Sequence, residues 1–336
     1  MYILGLESSC DETSAAIVRM EDGKRKICSN IVASQIETHR LYGGVVPEIA
    51  SRAHIEAISR ITYEALKVAG IALSDVGTIA VTSHPGLIGA LLVGVNFGKS
   101  LAYANHIPLV PVNHIKAHVA AAYLEHPNLE PPFTALVISG GHTSFYNVPN
   151  YTDFSVIGQT RDDAVGEAFD KIGRVIGMPY PGGAALDKLA YEGNPKAFAL
   201  PSPAIAGDNA DFSFSGLKTA ALNIINASRQ KGEEPNHADL SASYTDVIVR
   251  ALVKKTDAVL GKMGSKTLVL SGGVAANSHI RAALDELCRK RGVTLCVPSR
   301  ALCGDNATMV AAAGYFEYRA GNLANTALNA NACDLI

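Results

Sequence analysis

Two histidines, His114 and His118, stand four residues apart in the stretch NHIKAHVAAAYL. The alanines at 117, 120, 121 and 122 and the upstream Pro111 predict a helix here. Residues four apart share one helix face, with Cβ atoms about 5–6 Å apart, so both imidazoles can reach one divalent cation. A zinc protease would carry a glutamate directly after the first histidine as its general base. This chain has Ile115 there, which removes that chemistry. By itself the spacing favours two ordinary surface or packed histidines over a metal pair, and a third ligand must come from elsewhere. Asp305, in CGDNATM, reads either as the N-cap of the last helix or as the carboxylate of a two-histidine, one-carboxylate site suited to Zn²⁺ or Fe²⁺. Cys303 beside it is a soft ligand or a buried thiol.

A second set of residues suits phosphate and sugar rather than metal. Ser139-Gly140-Gly141 and Ser271-Gly272-Gly273 each follow a short apolar strand, and the second runs into a helix. Glycine lets backbone amides approach phosphate oxygens closely, and a helix N-terminus favours an anion. The alternative for each is an ordinary tight turn. Asp170 lies among small and apolar residues on an expected helix, where its carboxylate either accepts from hydroxyls or pairs with Lys171 or Arg174. In YPGGAALD, Gly182 and Gly183 start a helix with Asp187 one turn in, an arrangement for a sugar edge or for capping.

The elements that must position these groups alternate strand with helix, which argues α/β architecture. Hairpins are expected at 2–18, with a polar tip at 8–14, and at 133–148; a strand, a Gly-Gly turn and a helix fill 266–287. Apolar spacing near 3.6 marks helices at 48–69, 86–105, 161–177 and 238–262. The likeness of the first two hairpins suggests an internal duplication. Pro131-Pro132 marks a junction, 195–215 an irregular excursion and 229–239 an exposed loop.

With 336 residues, 48% of them hydrophobic and 18% charged, the chain can build two substantial cores. The net charge of −2 gives no general attraction to nucleic acid, and the runs GKRK at 23–26 and RKR at 289–291 read as solvated faces. Six cysteines without a C-x-x-C pair point to reduced thiols. The chain enters a strand directly, without a basic leader, and His-Pro-Gly interrupts its most apolar stretch, 78–98. A cytoplasmic protein without membrane contact is expected.

Together, ESSCDETSAAIV, GGVVPEIASRAH, HPGLIGALLVG, NHIKAH, VISGGHT, GEAFDKIGR, YPGG, FSFSGLKTA, LSGGVAAN and CGDNATM closely resemble the TsaD family, the tRNA N6-adenosine threonylcarbamoyltransferases, from about residue 2 to about residue 315. The resemblance implies two ribonuclease-H-like lobes of the actin/sugar-kinase/Hsp70 (ASKHA) type with a nucleotide cleft between them. The N-terminal lobe would span 1–130, completed by a C-terminal helix at 306–325, and the C-terminal lobe 131–305. It also implies transfer of a threonylcarbamoyl group from threonylcarbamoyl-adenylate to N6 of the tRNA adenosine 3′ of the anticodon, with AMP leaving.

Carried over by position, the metal ligands are His114, His118 and Asp305, with Fe²⁺ expected and Zn²⁺ as the alternative. The adenine nucleotide contacts are Val137, Ile138, Ser139, Gly140, Gly141, Asp170, Gly183, Asp187 and Asn277. Asp11 and Glu12 match acidic residues of the first hairpin, and one of them is the expected base for the adenine amine. The implied partners are tRNA, a TsaB-like paralogous subunit and a TsaE-like small ATPase. Two positions depart from the pattern. His84 replaces a glycine before Pro-Gly, and Val137 stands where some relatives carry a metal-side tyrosine, leaving the fourth coordination position to substrate phosphate or water. A small-molecule kinase on the same fold is the leading rival, and it would need Mg²⁺ and a catalytic aspartate instead of two histidines.

Overall fold

The computed structural model describes residues 1–21 and 23–333. The chain opens with strands β1 (Tyr2–Glu7), β2 (Glu12–Glu21) and β3 (Lys24–Ser34), then helices α1 (Ile36–Arg40) and α2 (Pro47–Ala69). Strand β4 (Val76–His84), helix α3 (Ile88–Asn105), strand β5 (Leu109–Asn113) and helix α4 (His114–Glu125) follow. Next come β6 (Phe133–Ile138), β7 (Thr143–Val148), β8 (Ser155–Gln159), α5 (Val165–Val175), α6 (Gly182–Leu189), α7 (Ser215–Gln230) and α8 (His237–Met263). The remainder is β9 (Thr267–Ser271), a 3-10 turn at Gly273–Ala276, α9 (Ser278–Arg291), β10 (Thr294–Cys296), α10 (Arg300–Cys303) and α11 (Ala307–Arg319).

These elements form two compact units. The first holds Met1–Pro131, Val148–Phe154 and the chain from Pro298 onward; the second holds Pro132–Asn147 and Ser155–Val297. The return to the first unit thus begins at Pro298, not at the expected residue 306, because α10 and the loop carrying Asp305 pack with the N-terminal elements. Among the described residues each unit has one five-stranded sheet, β3-β2-β1-β4-β5 in the first and β8-β7-β6-β9-β10 in the second. Counted from its own first strand, each sheet has the order 3-2-1-4-5. In the first, β1 is antiparallel to β2 and parallel to β4. The duplication suggested by two similar hairpins is therefore a duplication of a whole sheet topology.

Strand β1 is buried on both faces, and its alternation sorts side chains between two helical layers. Leu4 and Leu6 join Ile61 and Ala65 of α2 and Val95 and Ala102 of α3 in one core. On the other face Gly5 lies against α11, where an added Cβ would strike the Ala307 carbonyl oxygen and the Ala311 backbone. Gly314 of α11 makes the same close approach to Ala80 of β4. Glu7 and Thr82, two residues beyond Gly5 and Ala80, therefore sit on the α11 side of the sheet. The tail is better ordered than its composition suggests: the amides of Ala324 and Asn331 donate to the carbonyls of Leu109 and Ser83. Among the described residues no helix is long and apolar enough to cross a membrane.

Part of each basic run is paired within the protein. Arg25, on edge strand β3, donates to the Tyr123 carbonyl and stacks over the Tyr123 and Phe316 rings. Lys290 and Arg291 pair with Glu286 and Asp257.

Candidate functional site

Asn113 caps α4, its side chain accepting from the amides of Ile115 and Lys116 at 2.8 and 3.0 Å. The cap starts the helix at His114 and puts His118 one turn along the same face, with ring centroids 4.6 Å apart. Asp305 Oδ1 lies 3.6 Å from His114 Nε2 and 3.3 Å from His118 Nε2. One ligand atom from each of the three falls within 4.8 Å of the others. The final helix is anchored independently: Ser14 Oγ accepts from the Ala307 amide, and Asn306 accepts from the amides of Thr308 and Met309. Asn306 is thus the N-cap, and the capping alternative for Asp305 falls away.

His118 is the strongest sign that the trio suits a cation. It is 1% exposed, and neither ring nitrogen has a hydrogen-bond partner among the described residues. The nearby Asp305 oxygen is close but not aligned as an acceptor. Burial, reinforced by any charge on His114, holds His118 below the usual imidazole range, in the neutral form that binds metal. Two imidazoles and a carboxylate are a chemically suitable donor set for Zn²⁺ or Fe²⁺, so the residues present fit the group. Cys303 is outside this set, its thiol donating to the Pro298 carbonyl.

The hairpin tip adds carboxyl groups. Glu12 is pushed up to about 9 by burial first and then by the charges of Asp11 and Asp305. It accepts from Ser34 Oγ at 3.0 Å. Such a concentration of negative charge is what a bound cation would relieve. Burial, with Asp11 next to it, also raises the Cys10 thiol, so Cys10 is not a ready thiolate.

Glu7 was not legible as a site residue. It is fully buried and accepts from the Ser9 amide at 2.6 Å, Thr82 Oγ1 at 2.8 Å and His114 Nδ1 at 3.1 Å. Burial favours its neutral form, but the His114 ring and these hydrogen bonds outweigh burial and hold the carboxyl below its ordinary range. The link to His114 spans 107 positions, and no local spacing signals it.

In the second unit the two glycine bends lie side by side, because β6 and β9 are parallel neighbours. Gly272 has φ +92°, and an added Cβ there would collide with the Ile138 carbonyl oxygen. By contrast, nothing stands within 4 Å of a Cβ added to Gly140, Gly141 or Gly273. Open turns at the carboxyl ends of adjacent parallel strands are where α/β folds bind ligands. Val137 and Ile138 are fully buried in β6, so only their backbones could serve a ligand. The Gly166 amide donates to the Ser139 carbonyl, fixing the start of α5 against the first bend.

From there a chain of polar contacts joins the remaining residues. Asp170 Oδ1 accepts from the Gly183 amide at 3.1 Å, while Lys171 pairs with Asp163 and Glu167. Asp187 accepts from Ser278 through one oxygen and from His279 Nδ1, at 2.8 Å, through the other. Burial opposes its charge, but the His279 and Ser278 hydrogen bonds prevail and hold it below its usual range. Asn277 caps α9 by accepting from Ile280. His279, its ring tilted against Tyr191 with centroids 4.0 Å apart, is a residue of this candidate site that sequence reasoning missed.

The chain is similar to proteins of known name. The family model TsaD: tRNA N6-adenosine threonylcarbamoyltransferase matches residues 26–312. A tRNA N6-adenosine threonylcarbamoyltransferase of Clostridium beijerinckii is 49% identical over 98% of this chain and 96% of its own length. One of Clostridium botulinum is 50% identical with the same coverage. Among solved structures, full-length HypF in a phosphate- and nucleotide-bound form has a TM-score of 0.62 at 15% identity, covering 95% of this chain and 46% of its own. Component A of the Acidaminococcus fermentans (R)-2-hydroxyglutaryl-CoA dehydratase has a TM-score of 0.55 at 18% identity, covering 95% and 99%. These two carry the fold alone, which is of the ASKHA type. With the family model matched across most of its length and relatives half identical over nearly all of it, the chain belongs to the TsaD family, enzymes that transfer a threonylcarbamoyl group to N6 of adenosine in tRNA.

Proposed function

We propose that the chain takes its threonylcarbamoyl group from L-threonylcarbamoyladenylate and places it on the adenosine directly 3′ of the anticodon, in tRNAs that read codons beginning with adenine. The N6 lone pair attacks the carbamoyl carbon, and the bond from that carbon to the phosphate oxygen breaks. The amine loses a proton to a carboxylate, and AMP leaves with the electron pair. Because the mixed anhydride is already activated, the protein's work is chiefly to position it and to stabilise developing charge.

His114, His118 and Asp305 would hold one divalent ion, Fe²⁺ foremost or Zn²⁺, which when bound supplies a Lewis acid. Asp11 is the proton acceptor, and Glu12, held neutral by burial and its acidic neighbours, donates to it. The Ser139–Gly141 bend and the backbones of Val137 and Ile138 receive the adenylate, with Asp170, Gly183, Asp187 and Asn277 shaping its sugar and base side. The observation that supports the reading most is the buried His118, whose ring nitrogens have no aligned hydrogen-bond partner among the described residues, facing Asp305 at 3.3 Å.

The weak net charge and partly paired basic runs favour a shared RNA surface, supplied with a TsaB-like subunit and a TsaE-like small ATPase in the cytoplasm. A groove between α2 and α3, lined by Ile55, Ile58, Leu92, Val93 and Phe97, is an apolar face suited to the paralogous subunit. The test incubates wild type and the His114→Ala/His118→Ala variant with the adenylate, unmodified tRNA and the partner subunits, followed by mass spectrometry of digested nucleosides and metal analysis. Modified adenosine lost together with metal in the variant is the expected result. Undiminished product from a metal-free variant overturns the metal's role, and ADP with a phosphorylated acceptor overturns acyl transfer.

A further inference from the structure

Outside the proton acceptor and the three ligands, Glu7 is a buried ionisable group that touches the trio, through His114. A fully buried carboxylate is expensive unless every oxygen is hydrogen-bonded, and here both are. Oε1 accepts from the Ser9 amide at 2.6 Å; Oε2 accepts from Thr82 Oγ1 at 2.8 Å and from His114 Nδ1 at 3.1 Å. The alternation of β1 and β4 turns both Glu7 and Thr82 toward α4 and α11, so the contact with His114 is built by the sheet and not by a mobile loop. The centre is asymmetric as a result. His114 Nδ1 faces the Glu7 carboxylate at 3.1 Å and the Ser9 hydroxyl at 3.2 Å, whereas His118 Nδ1 has no partner among the described residues.

We propose that Glu7 is the positioning residue of the metal centre: by accepting from His114 Nδ1 it fixes the proton there, so that Nε2 presents a lone pair toward His118 and Asp305. The proposal rests on the metal reading given above. An ionised carboxylate can only accept, so the ring must donate through Nδ1. Carboxylates that receive the distal N–H of a ligating histidine set both its tautomer and its orientation. The competing role for Glu7 is purely structural, shaping the turn at Ser9.

Glu7→Gln separates the two roles. Oε1 faces an amide donor, so the glutamine oxygen must take that side and its NH₂ must face Thr82 and His114. The Thr82 and Ser9 hydroxyls can rotate to suit either partner. Ser9 Oγ, 3.2 Å from the same nitrogen, can donate or accept, so the NH₂ group decides: His114 Nδ1 cannot donate to it, becomes the acceptor, and the proton moves to Nε2, blocking the ligand atom.

The experiment uses ¹⁵N-histidine-labelled, metal-free protein at mildly alkaline pH, with the His114 signals assigned by their loss in His114→Ala, and Co²⁺ titration of each protein. In wild type His114 should carry its proton on Nδ1. In Glu7→Gln it should carry it on Nε2, and Co²⁺ affinity should fall about 10–100-fold. A wild-type His114 protonated on Nε2 overturns the proposal without any variant, which covers the case in which Glu7→Gln does not fold. Equal Co²⁺ affinity in wild type and Glu7→Gln overturns Glu7's role while leaving the metal reading intact. A wild type that binds no Co²⁺ sinks the metal reading, and this proposal with it.

Discussion

Asn306 and Asp305 divide two tasks across one peptide bond: Asn306 Oδ1 accepts from the Thr308 and Met309 amides at 3.1 and 3.3 Å, while Asp305 Oδ1 faces His118 Nε2 at 3.3 Å. Anchoring of α11 and presentation of the carboxylate are therefore separable. Asn306→Ala should lower the unfolding free energy of metal-free protein by about 1 kcal/mol, and Asn306→Asp should restore it. Asp305→Asn should leave the cap in place and abolish metal retention after dialysis, read by elemental analysis. A cap loss caused by Asp305→Asn would contradict this division.

A metal that binds only the folded chain stabilises it by mass action, by about 2.7 kcal/mol at a hundredfold excess over Kd. Thermal unfolding of wild type should shift upward with added Zn²⁺ and return on chelation. His118→Ala should show no such shift, since it removes the ligand buried most deeply in the trio. Parallel shifts in both proteins would place the bound ion elsewhere.

Glu12 gives a pH signature in the metal-free protein. Its folded value, about 9, lies above the ordinary 4.5, so the fold favours the neutral carboxyl. The stability this contributes is complete below pH 4.5 and is lost as pH rises toward 9. Glu12→Gln, which cannot ionise, should therefore be more stable than wild type by an amount that grows over that window, on the order of 1–3 kcal/mol after allowance for solvent screening. Denaturant midpoints at acid, neutral and alkaline pH measure it. A pH-independent difference would refute the assignment, and added metal should shrink the difference.

The two glycine bends should respond oppositely to alanine. Gly272→Ala forces a left-handed φ on a Cβ that collides with the Ile138 carbonyl, costing about 1–3 kcal/mol or preventing folding. Gly140→Ala meets nothing within 4 Å and should leave stability unchanged while weakening adenine nucleotide binding, measured by calorimetry. Equal loss of stability at both positions would mean that the first bend is structural alone.

Asp187 is saturated by Ser278 and His279, so any effect it has on a nucleotide passes through the imidazole it holds. Asp187→Ala and His279→Ala should weaken nucleotide binding by similar factors, and the double variant should be little worse than either. Additive losses would show that Asp187 touches the ligand itself.

Local signals made the repeating elements and the two Gly-Gly bends legible, whereas helical spacing only placed the two histidines on one face; the family resemblance singled out most of the candidate site. What stayed hidden depends on long-range packing. Glu7 looks like the polar end of a strand until β4 and α4 close over it. Strand β3 hides behind its charges, KRK at its start, because an edge strand keeps one side in water. Asp305 and Asn306 are both good caps by residue type, and only the three-dimensional course of the loop chooses between them. His279 carried no signal until its ring was seen between Asp187 and Tyr191.

The close seating of α11 on Gly5 and Ala80 also dictates an order of assembly. A ribosome makes the first sheet and both histidines early, then the entire second unit, and only afterwards Asp305 and the helix that anchors it. The nascent N-terminal unit must wait with one face of its sheet covered by α4 alone and its candidate ligand set one carboxylate short. On the metal reading proposed above, chains truncated before Asp305 should retain no ion, whatever the state of their first sheet.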